Sequence, residues 1–525
     1  ASITAANNAT PGSRTLLRIV GNDGNAATLA DDRPYLIGRT QGQSGTALAD
    51  GATFNVPAGV TAVIDEGAVL KLRGAVIDVG SSSLTPTSSR AGAALQVLGT
   101  PARQVRFTSY HDDTMGGDSD GVGPVATGGQ WGGIVLRQDS DVASRRSFVN
   151  TVTNAQFRFG GGQVVVDSQL KTFTPIQLES TRPTIAFNAI TESAGAAISA
   201  DPNAFDDSNG RIGPELRGNR LTNNSINGVF IRIETTAGEA LTRLTVPARF
   251  KSTDIVYVVA ENLVIDGGAG GYVRVAGQDR ARDTGRLTID PGVVVKLVGS
   301  RIELGRGSSR LYAEGLPGSR VIFTSLADNR FGAGGTFDTN GNQPDVPAAG
   351  DWAGIVLNAG AAASIDQAYV GFGGGTSPIE GRIASFNVFE AHQADLRLAN
   401  SRVENNATGF SSADGIRTGR GTHAAATIFV RGSQPTIVGN DFRDNRGTLI
   451  SINANALDDR LQGDPGRSTG AIARFRGFDD NFGALVRNNR ISYTIDAAAG
   501  RPAGGATTGM EVRGEELTVE GVWDD

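Results

Sequence analysis

The sequence predicts an all-β chain of 525 residues built as a parallel β-solenoid. Short runs of Val, Ile, Leu, Thr and Phe are separated by Gly, Asn and Asp, and helical periodicity is almost absent. Glycine occupies 72 positions, which indicates frequent turns. A fixed succession of signatures also occurs twice in the same order, as expected of a repeat architecture.

The duplicated signatures divide the chain into two tandem copies. AVIDEGAVLKL from Ala62 matches LTIDPGVVVKL from Leu287, and QWGGIVL from Gln130 matches DWAGIVL from Asp351. We predict a first β-helical unit over residues 51–283 and a second over residues 284–525. Residues 1–50 lack a matching partner, so they are predicted to cap the solenoid or to end a preceding module.

Within each copy, an aliphatic residue is followed three positions later by Asn or Ser, then by another aliphatic residue, and then by Asn and Gly. Asn188, Asn219, Ser401 and Asn440 occupy the first polar position of this pattern. Asparagine tolerates a left-handed backbone, and its amide can pair with an equivalent amide on the next coil. The pattern therefore predicts the corners of stacked parallel coils, with ladders of asparagine amides.

These segments resemble the repeats of right-handed parallel β-helix proteins. The DPGVVVKL, FTS, DWAGIVL and NANALDD signatures resemble those of very large secreted or surface bacterial proteins with tandem β-helix units. The resemblance covers residues 51–525. It implies a right-handed helix and an extracellular or cell-surface setting, and for most members of the family it implies no demonstrated chemistry.

Composition argues against several classes of partner. The formal net charge is −6 and the basic residues form no long run, so the chain lacks the footprint of a nucleic-acid-binding protein. Cysteine is absent, which excludes disulfides and thiolate metal sites. No apolar run approaches the roughly 18 residues of a spanning helix, so membrane insertion is not expected.

Each copy carries an acidic, glycine-rich loop. When TSYHDDTMGGDSDGVGP from Thr108 is aligned with TSLADNRFGAGGTFDTNGNQP from Thr324, every acidic position keeps an oxygen donor. Alternate side-chain oxygens beside a glycine are typical of the first half of a calcium loop, although the closing glutamate is missing. We predict that Ca²⁺ is the cofactor and that its ligands are Asp112, Asp113, Asp118, Asp120, Asp328, Asn329, Asp338 and Asn340.

The same composition also fits a solvated turn, because Asp, Asn and Gly are common in turns for conformational reasons. That alternative stays open for both loops. A second acidic pair recurs after NAF and NAL, as Asp206 with Asp207 and as Asp458 with Asp459. For these pairs, turn chemistry is favoured over metal binding.

Parallel β-helices also host polysaccharide lyases and glycoside hydrolases, so an enzyme is the alternative class. His111, His392 and His423 have no counterpart in the other copy and are interpreted as scattered surface residues. An active site is normally singular, whereas the features that stand out here are duplicated. The sequence thus favours a scaffold over an enzyme, and no residue is assigned a catalytic role.

Two further residue pairs recur between the copies. Strand alternation would point Lys71 and Lys296 outward, opposite their apolar neighbours, where a lyase base is conceivable. Trp131 and Trp352 each begin a strand after the acidic loop. For the tryptophans, packing in the core or filling the end of a coil is favoured over stacking on a sugar.

We therefore expect a structural, extracellular β-solenoid that forms a segment of a larger bacterial protein and is stabilised by calcium. Its role would be that of a rigid spacer, an adhesin-like element, or a component of a surface layer or filament. The alternative is a carbohydrate-active or carbohydrate-binding β-helix, and a cell-surface polysaccharide is a candidate partner. The second copy stops within a repeat, because alignment places Phe250 opposite Trp523 shortly before the end. Further β-helix repeats or another subunit are therefore expected at the C-terminal edge.

Overall fold

A computed structural model describes most of the chain. The described residues are 15–21, 34–38, 53–81, 89–141, 147–166, 169–208, 210–233, 241–268, 272–275, 278–281, 284–341, 346–379, 382–409, 423–469, 481–502, 507 and 509–523. They form two compact units. The first contains the described chain up to Phe230 together with Asp254–Val256 and residues 332–341, and the second contains the remaining described residues.

The first unit is built from three parallel sheets, and successive strands along the chain pass from one sheet to the next. Sheet 1a contains β1 (Thr15–Ile19), β4 (Val60–Asp65), β7 (Ala94–Leu98), β10 (Thr151–Thr153), β15 (Thr184–Ala186) and β18 (Glu215–Arg217). Sheet 1b contains β2 (Tyr35–Gly38), β5 (Val69–Arg73), β8 (Val105–Ser109), β11 (Ala155–Arg158), β16 (Ala189–Thr191) and β19 (Arg220–Thr222). Sheet 1c contains β3 (Thr53–Val56), β6 (Val76–Val79), β9 (Ile134–Arg137), β14 (Ile176–Glu179), β17 (Ala196–Ala200) and β20 (Ile226–Ile231).

The second unit repeats this arrangement, and its parallel strands again fall into three sets, which we call sheets 2a, 2b and 2c. Sheet 2a contains β21 (Pro247–Phe250), β26 (Arg286–Ile289), β29 (Arg310–Glu314), β32 (Ala362–Asp366), β37 (Asp395–Ala399), β40 (Thr436–Val438) and β45 (Leu485–Arg487). Sheet 2b contains β22 (Tyr257–Val259), β27 (Val294–Leu297), β30 (Val321–Ser325), β33 (Ala368–Gly371), β38 (Arg402–Glu404), β41 (Asp441–Arg443) and β46 (Arg490–Ser492). Sheet 2c contains β23 (Leu263–Ile265), β28 (Ile302–Leu304), β31 (Ile355–Leu357), β36 (Phe389–His392), β39 (Ile428–Arg431), β42 (Ile450–Asn453) and β49 (Met510–Arg513).

The remaining elements are excursions from the coils. Antiparallel pairs are formed by β12 (Gln163–Val166) with β13 (Gln169–Thr172), β24 (Tyr272–Val275) with β25 (Gln278–Ala281), β34 (Thr376–Ile379) with β35 (Arg382–Ser385), β43 (Leu461–Gln462) with β44 (Asn481–Phe482), and β47 (Ile495–Asp496) with β48 (Arg501–Pro502). Short 3₁₀ turns occupy Gln138–Ser140, Pro202–Phe205 and Ala454–Ala456. Over the described ranges there is no α-helix, and no helix long and apolar enough to cross a membrane.

The core consists of apolar side chains that stack on equivalent side chains of the neighbouring coils. Parallel in-register pairing brings like positions together, because each strand lies directly above the same strand of the coil before it. In sheet 1b the buried stack contains Leu70, Phe107, Phe157, Ile190 and Leu221. The prediction of an all-β parallel β-helix is therefore confirmed.

Asparagine ladders join the coils at the corner between sheets 1a and 1b. Asn188 is buried, and its Nδ2 donates to the Val152 carbonyl at 2.9 Å and to Asn219 Oδ1 at 3.0 Å. Its Oδ1 accepts the backbone N–H of Ala155 at 3.0 Å. One side chain thus satisfies backbone groups that lie outside the strand pairing, and the predicted amide ladder is confirmed.

The second unit uses the same device between sheets 2a and 2b. Asn440 Nδ2 donates to the Leu398 carbonyl at 2.8 Å and to Asn489 Oδ1 at 3.0 Å, while its Oδ1 accepts the Ser401 N–H at 2.9 Å. A further ladder at the other end of sheet 2b pairs amides of the same kind, Asn406 Nδ2 with Asn445 Oδ1 at 2.8 Å.

A left-handed backbone conformation occurs one residue before the ladder asparagine. Asn223 and Asn405 have φ values of 56° and 57°, and they directly precede Asn224 and Asn406. Gly218, with a φ of 61°, precedes Asn219 in the same way. In an Asn-Asn pair the first residue therefore makes the turn and the second bonds the neighbouring coil, a division of roles that the residue pattern alone did not predict.

Asn188→Ala should lower the free energy of unfolding by about 2–4 kcal/mol, because the Ala155 N–H and the Val152 carbonyl lose their buried partner. The measurement is urea denaturation followed by circular dichroism. Thr222→Ala, at an exposed position on β19, is the matched control and should have little effect. Equal destabilisation by the two substitutions would contradict the ladder as the source of stability.

Candidate metal centre

The first acidic loop leaves β8 and is anchored at its start by Asp112. The Asp112 carboxylate is buried and accepts the Thr108 hydroxyl at 2.5 Å and the Thr114 backbone N–H at 3.1 Å. An Arg158 guanidinium nitrogen lies 3.5 Å from the same carboxylate. Asp112 therefore faces the end of its own strand and an arginine, where it fixes the direction in which the loop departs.

Asp328 holds the corresponding position after β30. Its carboxylate accepts the Thr324 hydroxyl at 2.6 Å and two Arg330 guanidinium nitrogens at 2.9 and 3.0 Å. Burial alone would raise the pKa of Asp328, but the hydrogen bonds from Arg330 and Thr324 outweigh it and lower the pKa. The two aspartates are equivalent loop anchors, each bonded to the threonine four residues earlier.

The structure brings three of the predicted ligands of the first loop together. One carboxylate oxygen from each of Asp113, Asp118 and Asp120 lies within 4.8 Å of the other two. Oδ1 of Asp113 is buried and accepts no hydrogen bond from any described residue. Convergent carboxylates with an oxygen that protein groups leave unsatisfied are the donor set that a hard divalent cation takes.

Turn hydrogen bonds hold the other two carboxylates in place. Asp118 Oδ1 accepts the backbone N–H groups of Asp120 at 2.9 Å and Gly121 at 2.7 Å. Asp120 accepts the Val122 N–H at 2.9 Å and also contacts His111 Nδ1. The Val122 N–H and the contact with His111 lower the pKa of Asp120, so its carboxylate is kept ionised.

Lys71 lies under this loop, which corrects the expectation that it points into solvent. Its side chain is completely buried, and Nζ donates to the carbonyl of Gly117. Burial lowers the pKa of the Lys71 ammonium, and nearby carboxylates led by Asp113 act in the opposite direction. Lys296 is also completely buried, so neither recurring lysine is a surface base. Strand alternation gave the direction correctly but could not reveal the loop that covers the side chain.

The predicted ligands of the second loop fall in different compact units. Asp328 and Asn329 belong to the second unit, whereas Asp338 and Asn340 belong to the first. Buried oxygens that accept no hydrogen bond from described residues occur within each unit, at Asn329 Oδ1 and at Asp338 Oδ1. These oxygens are therefore available to a ligand, and the metal role of the second loop stays a prediction.

The three histidines are not scattered surface residues, contrary to the sequence-based interpretation. His392 Nε2 lies 3.0 Å and His423 Nε2 3.7 Å from the carboxylate of buried Glu390. His111 contacts Asp120 in the first loop. Each histidine thus contacts an acidic side chain, and the signal that sequence reasoning missed is Glu390, a completely buried acidic residue two positions before His392 on β36.

The tryptophans and the second acidic pairs follow the expected structural roles. Trp131 and Trp352 are fully buried, and their indole N–H groups donate to the carbonyls of Arg158 and Gly371, each at 2.8 Å. Core packing is thereby confirmed for both.

Asp206 Oδ1 accepts the Ser208 N–H at 2.8 Å, and Asp458 Oδ1 accepts the Arg460 N–H at 3.0 Å. Both carboxylates thus make the two-residue turn hydrogen bonds that the sequence favours for Asp206 and Asp458.

Comparisons with known proteins add little to this description. No family model matches the chain, and no curated protein matches it. A structure of a mutant PL6 family alginate lyase aligns at 10% identity over 95% of this chain and 96% of that chain, with a TM-score of 0.12. A score this low carries no argument, so the fold assignment depends on the strand pairing of this chain.

Asp328→Asn should lower the free energy of unfolding by about 1–2 kcal/mol at pH 7, because Arg330 loses its charged partner. Since the folded pKa lies below the ordinary 3.8, this stability is present above that pH and is lost as the pH falls further. The difference between the variant and the unmodified protein should therefore shrink at pH 3, measured by thermal unfolding in the presence of EGTA. Asp459→Asn, at an exposed aspartate, is the control. A difference that does not change with pH would contradict the ion-pair account.

Proposed function

We propose that the chain is a structural β-solenoid segment of a larger secreted or cell-surface bacterial protein, acting as a rigid spacer or adhesin-like element. The amide ladders carry this proposal. Asn188 and Asn440 make equivalent bonds in separate units, as expected of a device needed in every coil. Each coil contacts only its neighbours, so a solenoid of this kind extends by adding coils and suits the role of a spacer.

We further propose that the first acidic loop binds Ca²⁺ through Asp113, Asp118 and Asp120. These three carboxylates carry three negative charges, and Lys71 contributes one positive charge beneath them. The remaining charge of about −2 matches one divalent cation. Calcium accepts six to eight oxygen ligands in flexible geometry, and backbone carbonyls and water would complete the set.

An extracellular setting fits this proposal, because calcium sites of extracellular modules work at about 10⁻⁴–10⁻³ M. Asp112 is not among the proposed ligands, since its carboxylate is engaged by Thr108 and Arg158. Cell-surface polysaccharide as a partner is part of the same proposal.

Calcium should raise the melting temperature, because a ligand that binds only the folded state stabilises it by RT ln(1 + [Ca²⁺]/Kd). At a hundredfold excess over Kd the gain is about 2.7 kcal/mol. The measurement is calorimetry of the full chain in EGTA and then in increasing Ca²⁺, with Mg²⁺ as a comparison. The triple variant Asp113→Asn, Asp118→Asn, Asp120→Asn should lose most of the response.

Asp459→Asn serves as the matched control and should keep the full calcium response. A melting temperature that does not change with Ca²⁺ would reduce the loop to a solvated turn. The structural role is tested separately by incubating the protein with neutral and acidic polysaccharides. Reproducible cleavage that one acidic substitution abolishes would replace the structural proposal with an enzymatic one.

A further inference from the structure

A cavity of about 400 Å³ lies in the second unit, on the outer face of sheet 2a. Strands β29, β32, β37 and β40 form its floor, and residues 461–469, which we call the strap, form its cover. Gln434 and Thr436 on the floor belong to a segment that recurs in the first copy from Arg182, and the strap closely follows the recurring pair Asp458 and Asp459.

Small residues on β32 create the space. Ala362, Ala363 and Ser364 line the floor, and the strand register places Ser364 between Tyr312 on β29 and Arg397 on β37. Two long side chains thus flank a trough one strand wide. Its volume falls within the roughly 300–1,000 Å³ range of small-molecule sites.

Buried ionic contacts hold the strap above this trough. Arg397 donates to Asp464 of the strap at 2.6 and 3.1 Å, and all these groups are buried. Glu314 on β29 accepts the backbone N–H groups of Ser468 and Thr469 at 2.7 and 2.8 Å. Buried charges are costly unless they are fully paired, so these contacts position the strap accurately and keep the cavity open.

The cavity is lined by polar side chains that include both hydrogen-bond donors and acceptors, and their charges nearly cancel. Gln434, Gln462 and Thr436 present amide and hydroxyl groups, which donate and accept hydrogen bonds. Arg310 and Asp395 carry opposite charges, and the exposed Asp395 carboxylate has no hydrogen-bond or ion-pair partner among the described residues.

Charged and apolar ligands fit this lining less well than a neutral hydroxylated one. The guanidinium of Arg397 is already neutralised by Asp464 and by Asp366, which it meets at 2.8 Å. An anion would meet the positive charge of Arg310 but also the unpaired carboxylate of Asp395, and an apolar ligand would offer no partner to the half-buried amides of Gln434 and Gln462. The half-buried ring of Tyr312 adds one flat apolar surface at the edge of the trough.

We propose that this cavity binds a neutral sugar unit, whose hydroxyl groups pair with Gln434, Gln462 and Asp395 and whose ring packs against Tyr312. The inference deepens the adhesin-like role proposed above and depends on that role for its biological setting. It names the ligand class as neutral oligosaccharide and locates the contact on sheet 2a of the second unit.

The test is isothermal titration of the full chain with neutral trisaccharides of glucose, galactose, mannose, xylose and N-acetylglucosamine, and with trigalacturonate as the acidic comparison. At least one neutral probe should bind. Tyr312→Ala should weaken that binding about tenfold, whereas Tyr312→Phe should retain most of it. Tyr35→Ala, at an exposed tyrosine in the first unit, is the control.

Ala362→Phe fills the trough without removing a polar group, and it should abolish binding while the melting temperature shows that the protein is folded. Binding of trigalacturonate alone, binding unaffected by Tyr312→Ala and Ala362→Phe, or no binding of any neutral probe would each overturn the inference. The calcium response of the same samples separates the two proposals. A protein that calcium stabilises but that binds no sugar would refute the sugar site alone.

Discussion

The corners of each coil, where strand pairing stops, impose the constraint on which the rest of the structure depends. Backbone groups there need partners from outside the sheets, since an unpaired buried N–H or carbonyl costs about 1–3 kcal/mol. Asn188 and Asn440 supply those partners to the coil before them and pair with the amide of the coil after. The same bonds fix the register, so each apolar side chain meets its equivalent in the next coil.

Because the corner bonds stabilise the coils, the outer faces of the sheets can carry charged side chains that a loop covers. Lys71 lies under the first acidic loop, and Arg397 with Glu314 lies under the strap. Such groups would be unfavourable inside the apolar coil, but here they pair with the loop that covers them. Both candidate sites consequently lie outside the coil core and depend on ionic contacts between a strand and an excursion.

The candidate metal site was only partly predictable. Asp113, Asp118 and Asp120 were expected as ligands from their alternate spacing, and the structure brings their oxygens together. Asp112 and Asp328 fit the same pattern, yet their carboxylates turn back to Thr108 and Thr324. Spacing identifies oxygen donors near a turn, but the hydroxyl at the end of the preceding strand decides which way each donor points.

The sequence by itself determined the class of fold, the corner asparagines and the position of both acidic loops, because these follow from local periodicity and from duplication. Only the tertiary structure decided what the loops cover. The contact of Lys71 with Gly117, the ion pair of Glu390 with His423 and the cavity above Ala362 all join residues that are far apart in the sequence. The physical reason is that stacking places residues about twenty or more positions apart side by side. The local sequence does not specify which excursion will cover which strand.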